Sequence, residues 1–270
     1  MDEIAIDTVT LDSAVKMLKL TYSLELWDQL IDLSDKLFIR ANHLYENRAN
    51  MSIRINTERP LVYYYGYSLL MKGLAYKELG NYDSALQCID EYSNLYWFDN
   101  LSEEGLKEVN YYQFISEPNR FEVLLLSGDF TILDAYVEFL TNNRNEILPG
   151  TISILKAANT YQYNINYIID TFSQEIIQSI SHSPQDIIHT AYYQSFLMQI
   201  IKYKIDHSDH IVAIDYTLQL MFSSHLAAND RLYKYAVVCF ESIRDYATQR
   251  QLDTFKDHIA KIMGEGKVVI

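Results

Sequence analysis

Residues 69–97 read LLMKGLAYKELGNYDSALQCIDEYSNLYW. Two stretches of helical periodicity meet at Gly80-Asn81, a pair suited to a tight turn because glycine takes φ > 0 without steric cost. Gly73 and Ala85 are small, as closely crossing helices require, and Tyr76 and Tyr82 are large enough to fill the gap between them. Ile89 supplies the next large apolar position. The stretch therefore predicts two helices packed across a tight turn, with Gly73, Tyr76, Gly80, Tyr82 and Ala85 as the packing residues.

The same period extends outward in both directions. Leu11, Val15, Leu18 and Tyr22 make one stripe, and Leu26, Leu30, Leu33, Leu37 and Ala41 the next. No run alternates as a strand would. Helices are expected over 11–23, 26–47, 61–79, 82–96, 102–116, 118–127, 130–143, 151–159, 164–180, 185–205, 210–225, 230–246 and 249–263. Thr10-Leu11-Asp12, Ser102-Glu103-Glu104, Ser183-Pro184 and Asn229-Asp230 look like helix starts, with a capping side chain followed by an acid or proline. The connections are short, so neighbouring helices should run antiparallel. Two segments fall outside this pattern. Residues 264–270 read as a flexible tail. The loop 48–60 carries Arg48, Arg54 and Arg59 against Glu58, either as a contact for an anion or partner or as an ordinary solvated loop.

Composition narrows the function. The chain has 270 residues and a net charge of −14, with 49% hydrophobic and 21% charged residues, a globular balance. Its acidity argues against a broad nucleic-acid-binding face, because phosphate contacts dominate such affinity. No apolar run has the ~18 residues of a membrane helix. The opening MDEIAIDTVTLD does not resemble a leader, and two cysteines cannot build a disulfide scaffold. A cytoplasmic, non-membrane protein without cofactor is expected. Eight glycines and four prolines leave little for the loops of an α/β enzyme, while 23 tyrosines suit helix surfaces that are apolar along the ring and wet at the hydroxyl.

Catalytic signals are weak. Gly264-Glu265-Gly266-Lys267 follows a helix instead of preceding one, so no helix N-terminus aims amides at a phosphate there. Asp206, His207, Asp209 and His210 could hold a metal, but a turn selects the same residues. Cys88 and Cys239 lie inside expected helices and read as structural.

The spacing of Gly73, Tyr76, Gly80, Tyr82, Ala85 and Ile89 resembles the tetratricopeptide (TPR) pattern. Echoes occur at Leu24–Leu30 and at Leu126-Ser127-Gly128-Asp129-Phe130, with fainter ones near Asn166 and Ile211. They are irregularly placed, unlike an array with a repeat of about 34 residues. The resemblance implies an all-α, TPR-like α-solenoid of about six irregular antiparallel helix pairs. It would form a single domain over 1–270, with any subdivision near 145–150. Residues 61–180 also resemble the TPR-like C-terminal domains of helix-turn-helix regulators of Bacillus-like bacteria, related to the peptide-sensing Rap, PlcR and NprR architecture. The repeats begin by residue 11, which leaves no room for a DNA-binding domain, so DNA binding does not carry over.

In such folds the first helix of each pair lines the concave face. The register from Gly73 then offers Tyr63, Tyr67, Leu70, Leu74 and Lys77 to a peptide or protein partner. The helix 185–205 similarly offers Tyr192, Phe196, Gln199 and Tyr203, and Asn159 is a further candidate whose alternative role is a helix C-cap. The tyrosines could instead pack between helices. The expected function is a non-enzymatic regulatory or interaction protein that binds a peptide, with a homodimer in keeping. The alternative is the sensor and dimerisation half of a helix-turn-helix regulator.

Overall fold

The computed structural model describes residues 9–48, 57–182 and 187–265. Among these residues there are twelve α-helices and no strand: α1 (Leu11–Ser23), α2 (Trp27–Glu46), α3 (Leu61–Glu78), α4 (Tyr82–Ser93), α5 (Glu103–Leu126), α6 (Leu133–Asn142), α7 (Ile147–Tyr161), α8 (Asn166–His182), α9 (Ile187–Asp206), α10 (His210–Leu226), α11 (Asp230–Ser242) and α12 (Gln249–Glu265). Side-chain caps hold several starts where expected. Thr10 accepts from the Ser13 N–H, Ser102 from Gly105 and Asn229 from Leu232. The expected cap at Ser183-Pro184 and the basic-loop residue Arg54 lie outside the described residues.

Three expectations about elements need correction. The separate helices over 102–116 and 118–127 are one helix, α5, with Pro118 inside it. Tertiary contacts hold the far half in place despite the missing N–H. Asn119 Nδ2 donates to the Tyr92 hydroxyl at 2.9 Å, Glu122 pairs with Lys77 at 3.0 Å, and Arg120 pairs with Asp90. Helix α7 begins at Ile147, before the expected 151, because Pro149 sits in the first turn, where a missing N–H costs nothing. Helix α12 runs on to Glu265, so Gly264 is helical and not part of a tail.

The chain divides into two compact units, Met1–Leu133 and Asp134–Ile270. In the first unit α3 packs against α1, α2, α4 and α5. That role follows from its composition. Val62, Tyr64, Gly66, Ser68, Leu69, Met71, Gly73 and Ala75 bury residues on every side, as a helix enclosed by neighbours must. Tyr64, Met71 and Ala75 join the core of α1 and α2 around Leu18, Leu30 and Leu37. Val62 and Leu69 join the core of α4 and α5 around Ile89, Tyr92 and Tyr112. The α3–α4 crossing is close: a Cβ on Gly73 would lie 3.1 Å from Cys88 Cβ, and Ala85 is buried beside it. In the second unit α7 packs against α8 and α9, and α10 against α9, α11 and α12.

Five helix ends close in one way. Residues Glu25, Gly80, Gly128, Ser208 and Ala228 all take positive φ. At each, the N–H of the next residue reaches back five positions, as in Asn81 to the Tyr76 carbonyl and Asp209 to the Lys204 carbonyl. This double closure satisfies two carbonyls that the helix end would otherwise leave open. The echoes of the 79–82 turn at 24–27 and 126–130 therefore share its conformation, even where glutamate replaces glycine.

Candidate functional site

In the first unit, α1, α3 and α5 enclose a pocket of about 460 Å³, within the ~300–1,000 Å³ range of ligand sites. Its lining is Lys19 from α1, Arg59 just ahead of α3, Tyr63, Tyr67 and Leu70 on α3, and Lys107, Glu108, Tyr111 and Tyr112 on α5. The α3 residues recur every three or four positions, which puts them on one helix face.

Each wall is fixed from behind. Glycine at position 66 lets α5 approach, since a Cβ there would lie 2.4 Å from the Tyr112 ring. The Tyr112 hydroxyl then donates to the Tyr63 carbonyl at 2.9 Å. Arg59 is placed at both ends. Its backbone N–H donates to the Tyr64 hydroxyl at 3.2 Å, and that hydroxyl in turn donates to Asp12. Its guanidinium Nε donates to the buried Glu108 at 3.0 Å and the group lies 4.5 Å from the Tyr63 ring centre. The bond to Glu108 raises the Arg59 pKa further. Tyr63 and Tyr67 stack with centroids 5.5 Å apart, and Lys19 Nζ lies 5.9 Å from the Tyr67 ring. Burial raises the pKa of both tyrosines, so both stay protonated at neutral pH.

The α3 face proposed from sequence is thus only partly open. Tyr63, Tyr67 and Leu70 line the pocket. Leu70 also borders a narrow crevice with Gly73, Leu74 and Lys77, whose free space of about 10 Å³ matches a single water. Lys77 is not free to grip a ligand. Its side chain is 8% exposed, and its Nζ pairs with Glu122 at 3.0 Å and Glu78 at 3.3 Å.

The second-unit candidates do not make a groove. Phe196 and Tyr203 are buried in the core, 3% and 0% exposed, so no partner reaches them. The Tyr203 hydroxyl accepts from the Ile165 N–H at 2.9 Å and lies 3.3 Å from Asn166 Oδ1. Asn159 is buried too, its Nδ2 donating to the Gln199 carbonyl at 3.0 Å and to Gln199 Oε1 at 3.1 Å. It is not a C-cap, because α7 continues to Tyr161 and Gln162 closes it with positive φ. Tyr192 is exposed.

The turn residues weighed as metal ligands have separate partners. His207 Nδ1 lies 2.8 Å from the Tyr203 carbonyl, Asp209 pairs with Lys204 at 3.1 Å, and the His210 ring packs on Tyr246. Among the described residues no three His, Cys, Asp or Glu are grouped to hold a metal. Burial pushes the Cys88 thiol up to about 11 and raises Cys239, opposite to what a nucleophile needs. No described helix is long and apolar enough to cross a membrane.

Sequence reasoning missed Lys19, Lys107, Glu108, Tyr111 and Tyr112. Only the tyrosine pair at 111–112 carried a signal, as an aromatic doublet within an expected helix. It also missed a pocket of about 400 Å³ between α10 and α12, lined by Phe222, His225, Leu226, Thr254, Asp257, His258 and Lys261. Comparison of the chain with protein-family models, with curated proteins and with solved structures finds no match.

Proposed function

We propose that the chain is a non-catalytic interaction protein whose first unit takes an extended segment of a partner peptide along α3. The observation that carries this reading is the 460 Å³ pocket, walled by four tyrosines from two helices and continued by the Leu70 crevice. From Tyr63 to Leu70 this face spans ~10 Å of helix, about three residues of extended chain. The glycine-spaced α3–α4 crossing and the recurrent helix-end closure support a TPR-like pairing of helices.

The test is affinity selection. A pool of random octapeptides is passed over the immobilised full chain, and retained peptides are read by mass spectrometry. Retention should fall about tenfold in Tyr67→Ala and in Tyr111→Ala, the latter at a site 53% exposed where truncation leaves the core alone. Circular dichroism checks that both variants fold. A pool that passes through unretained, or retention indifferent to both changes, removes this pocket as a peptide site.

A further inference from the structure

The hydrogen-bonding inventory of the first-unit pocket is one-sided. Lys19, Arg59 and Lys107 bring three cations, against the single carboxylate of Glu108, in a chain whose net charge is −14. One oxygen of that carboxylate, Oε1, accepts from Arg59. Lys107 pairs with Glu103 at 2.8 Å on the exposed surface of α5. Lys19 makes no ion pair among the described residues and has the Tyr67 ring as its neighbour. The hydroxyls of Tyr63 and Tyr67 likewise make no hydrogen bond to the described residues, although both rings are half-buried. Lysine and arginine only donate, and a protonated phenol donates readily. Lys19 and the hydroxyls of Tyr63 and Tyr67 are thus donors without an acceptor among the described residues, beside an Arg59 already held by Glu108, and such a set suits a group that accepts and carries negative charge.

We propose that this pocket holds an oxyanion, the side-chain carboxylate of an acidic residue in the bound peptide, between Lys19 and Arg59 and under the hydroxyls of Tyr63 and Tyr67. This rests on the peptide-binding reading above and names its ligand chemistry. The stacked rings of Tyr63 and Tyr67 take the apolar stem of that residue or its neighbour. Because Lys19 is exposed, the attraction weakens with salt.

The same octapeptide selection tests it through composition. Peptides retained by the full chain should be enriched in Asp and Glu over Asn and Gln by about tenfold, the factor of one charge-assisted hydrogen bond. Raising the salt should reduce retention. Lys19→Met, at an exposed position, should abolish the acidic preference, and the double change Tyr63→Phe with Tyr67→Phe should reduce it while leaving the rings in place. Inorganic phosphate and phenyl phosphate are titrated separately to distinguish a free anion from a peptide carboxylate. Retained peptides without acidic enrichment, or enrichment that survives Lys19→Met, would overturn the oxyanion site and leave peptide binding standing. Lys19-dependent binding of phosphate or phenyl phosphate with no peptide retained would keep the oxyanion site and overturn its peptide source. If neither peptide nor anion binds, both readings fall.

Discussion

Tyr203 shows how a single side chain departs from its reading in one dimension. Its position on the helix over 185–205 made it a candidate for a partner, yet its ring is wholly inside the second unit. Its hydroxyl serves the backbone N–H of Ile165, itself buried, just ahead of α8. Tyr203→Phe would leave that N–H without an acceptor and should lower stability by about 1–3 kcal/mol. Tyr203→Ala should cost about 3–5 kcal/mol, since a cavity is added. Denaturant midpoints of both variants check this. Equal stability of Tyr203→Phe and wild type would show that the hydroxyl contributes nothing. Tyr67 and Tyr203 were indistinguishable by type and spacing; what separates them is the neighbour that covers the ring.

Among the helices, α3 carries most of the architecture, and its glycines serve different ends. Gly66 lets Tyr112 of α5 lie against the helix, and Gly80 closes the helix with φ of +75° and open space around it. Gly66→Ala puts a methyl 2.4 Å from the Tyr112 ring and should cost about 1–3 kcal/mol, while shifting the wall of the pocket. Gly80→Ala meets no neighbour, so only its backbone is strained, by about 1–2 kcal/mol. Thermal or chemical denaturation reads both losses. Peptide retention should fall in Gly66→Ala and hold in Gly80→Ala. The opposite pattern would mean that the α3–α5 contact does not shape the site. Much of this helix was legible beforehand: Gly73, Gly80 and Ala85 sit where their spacing put them, and Tyr63, Tyr67 and Leu70 share a face that opens on a pocket. The rest of the pocket was not legible. Lys19 and Tyr111 reach it from α1 and α5, and no local pattern links positions so far apart in the chain.

Across both units, tyrosine is a structural material. Burial raises the pKa of Tyr64, Tyr67, Tyr92, Tyr112 and Tyr235 and pushes Tyr193 up to about 12. A tyrosine in the unfolded chain ionises near 10. The folded state therefore holds these protons more tightly. Their contribution to stability is fully present below pH ~10 and is lost as pH rises from there towards 12. An alkaline titration should show tyrosinate absorbance in two stages. The later stage belongs to the buried set and comes together with loss of helical circular dichroism. A single stage near 10 with the helices intact would contradict this distribution of buried rings.

Helix periodicity, capping side chains and turn glycines act between residues one to five apart, so they can be read along the chain. They account for the all-α character, for most helix ends and for the face of α3 that meets the pocket. Pairing between distant helices acts through shape, and one dimension does not carry it. Asn119, Arg120 and Glu122 find partners on α3 and α4 and so carry α5 through Pro118. Lys77 finds two glutamates and Tyr203 a backbone N–H, which takes both out of reach of a ligand. Lys19 from α1 and Arg59 ahead of α3 reach the rings of Tyr67 and Tyr63, and Gly66 lets Tyr112 of α5 close the other wall, so that packing of distant segments turns a row of tyrosines into a pocket.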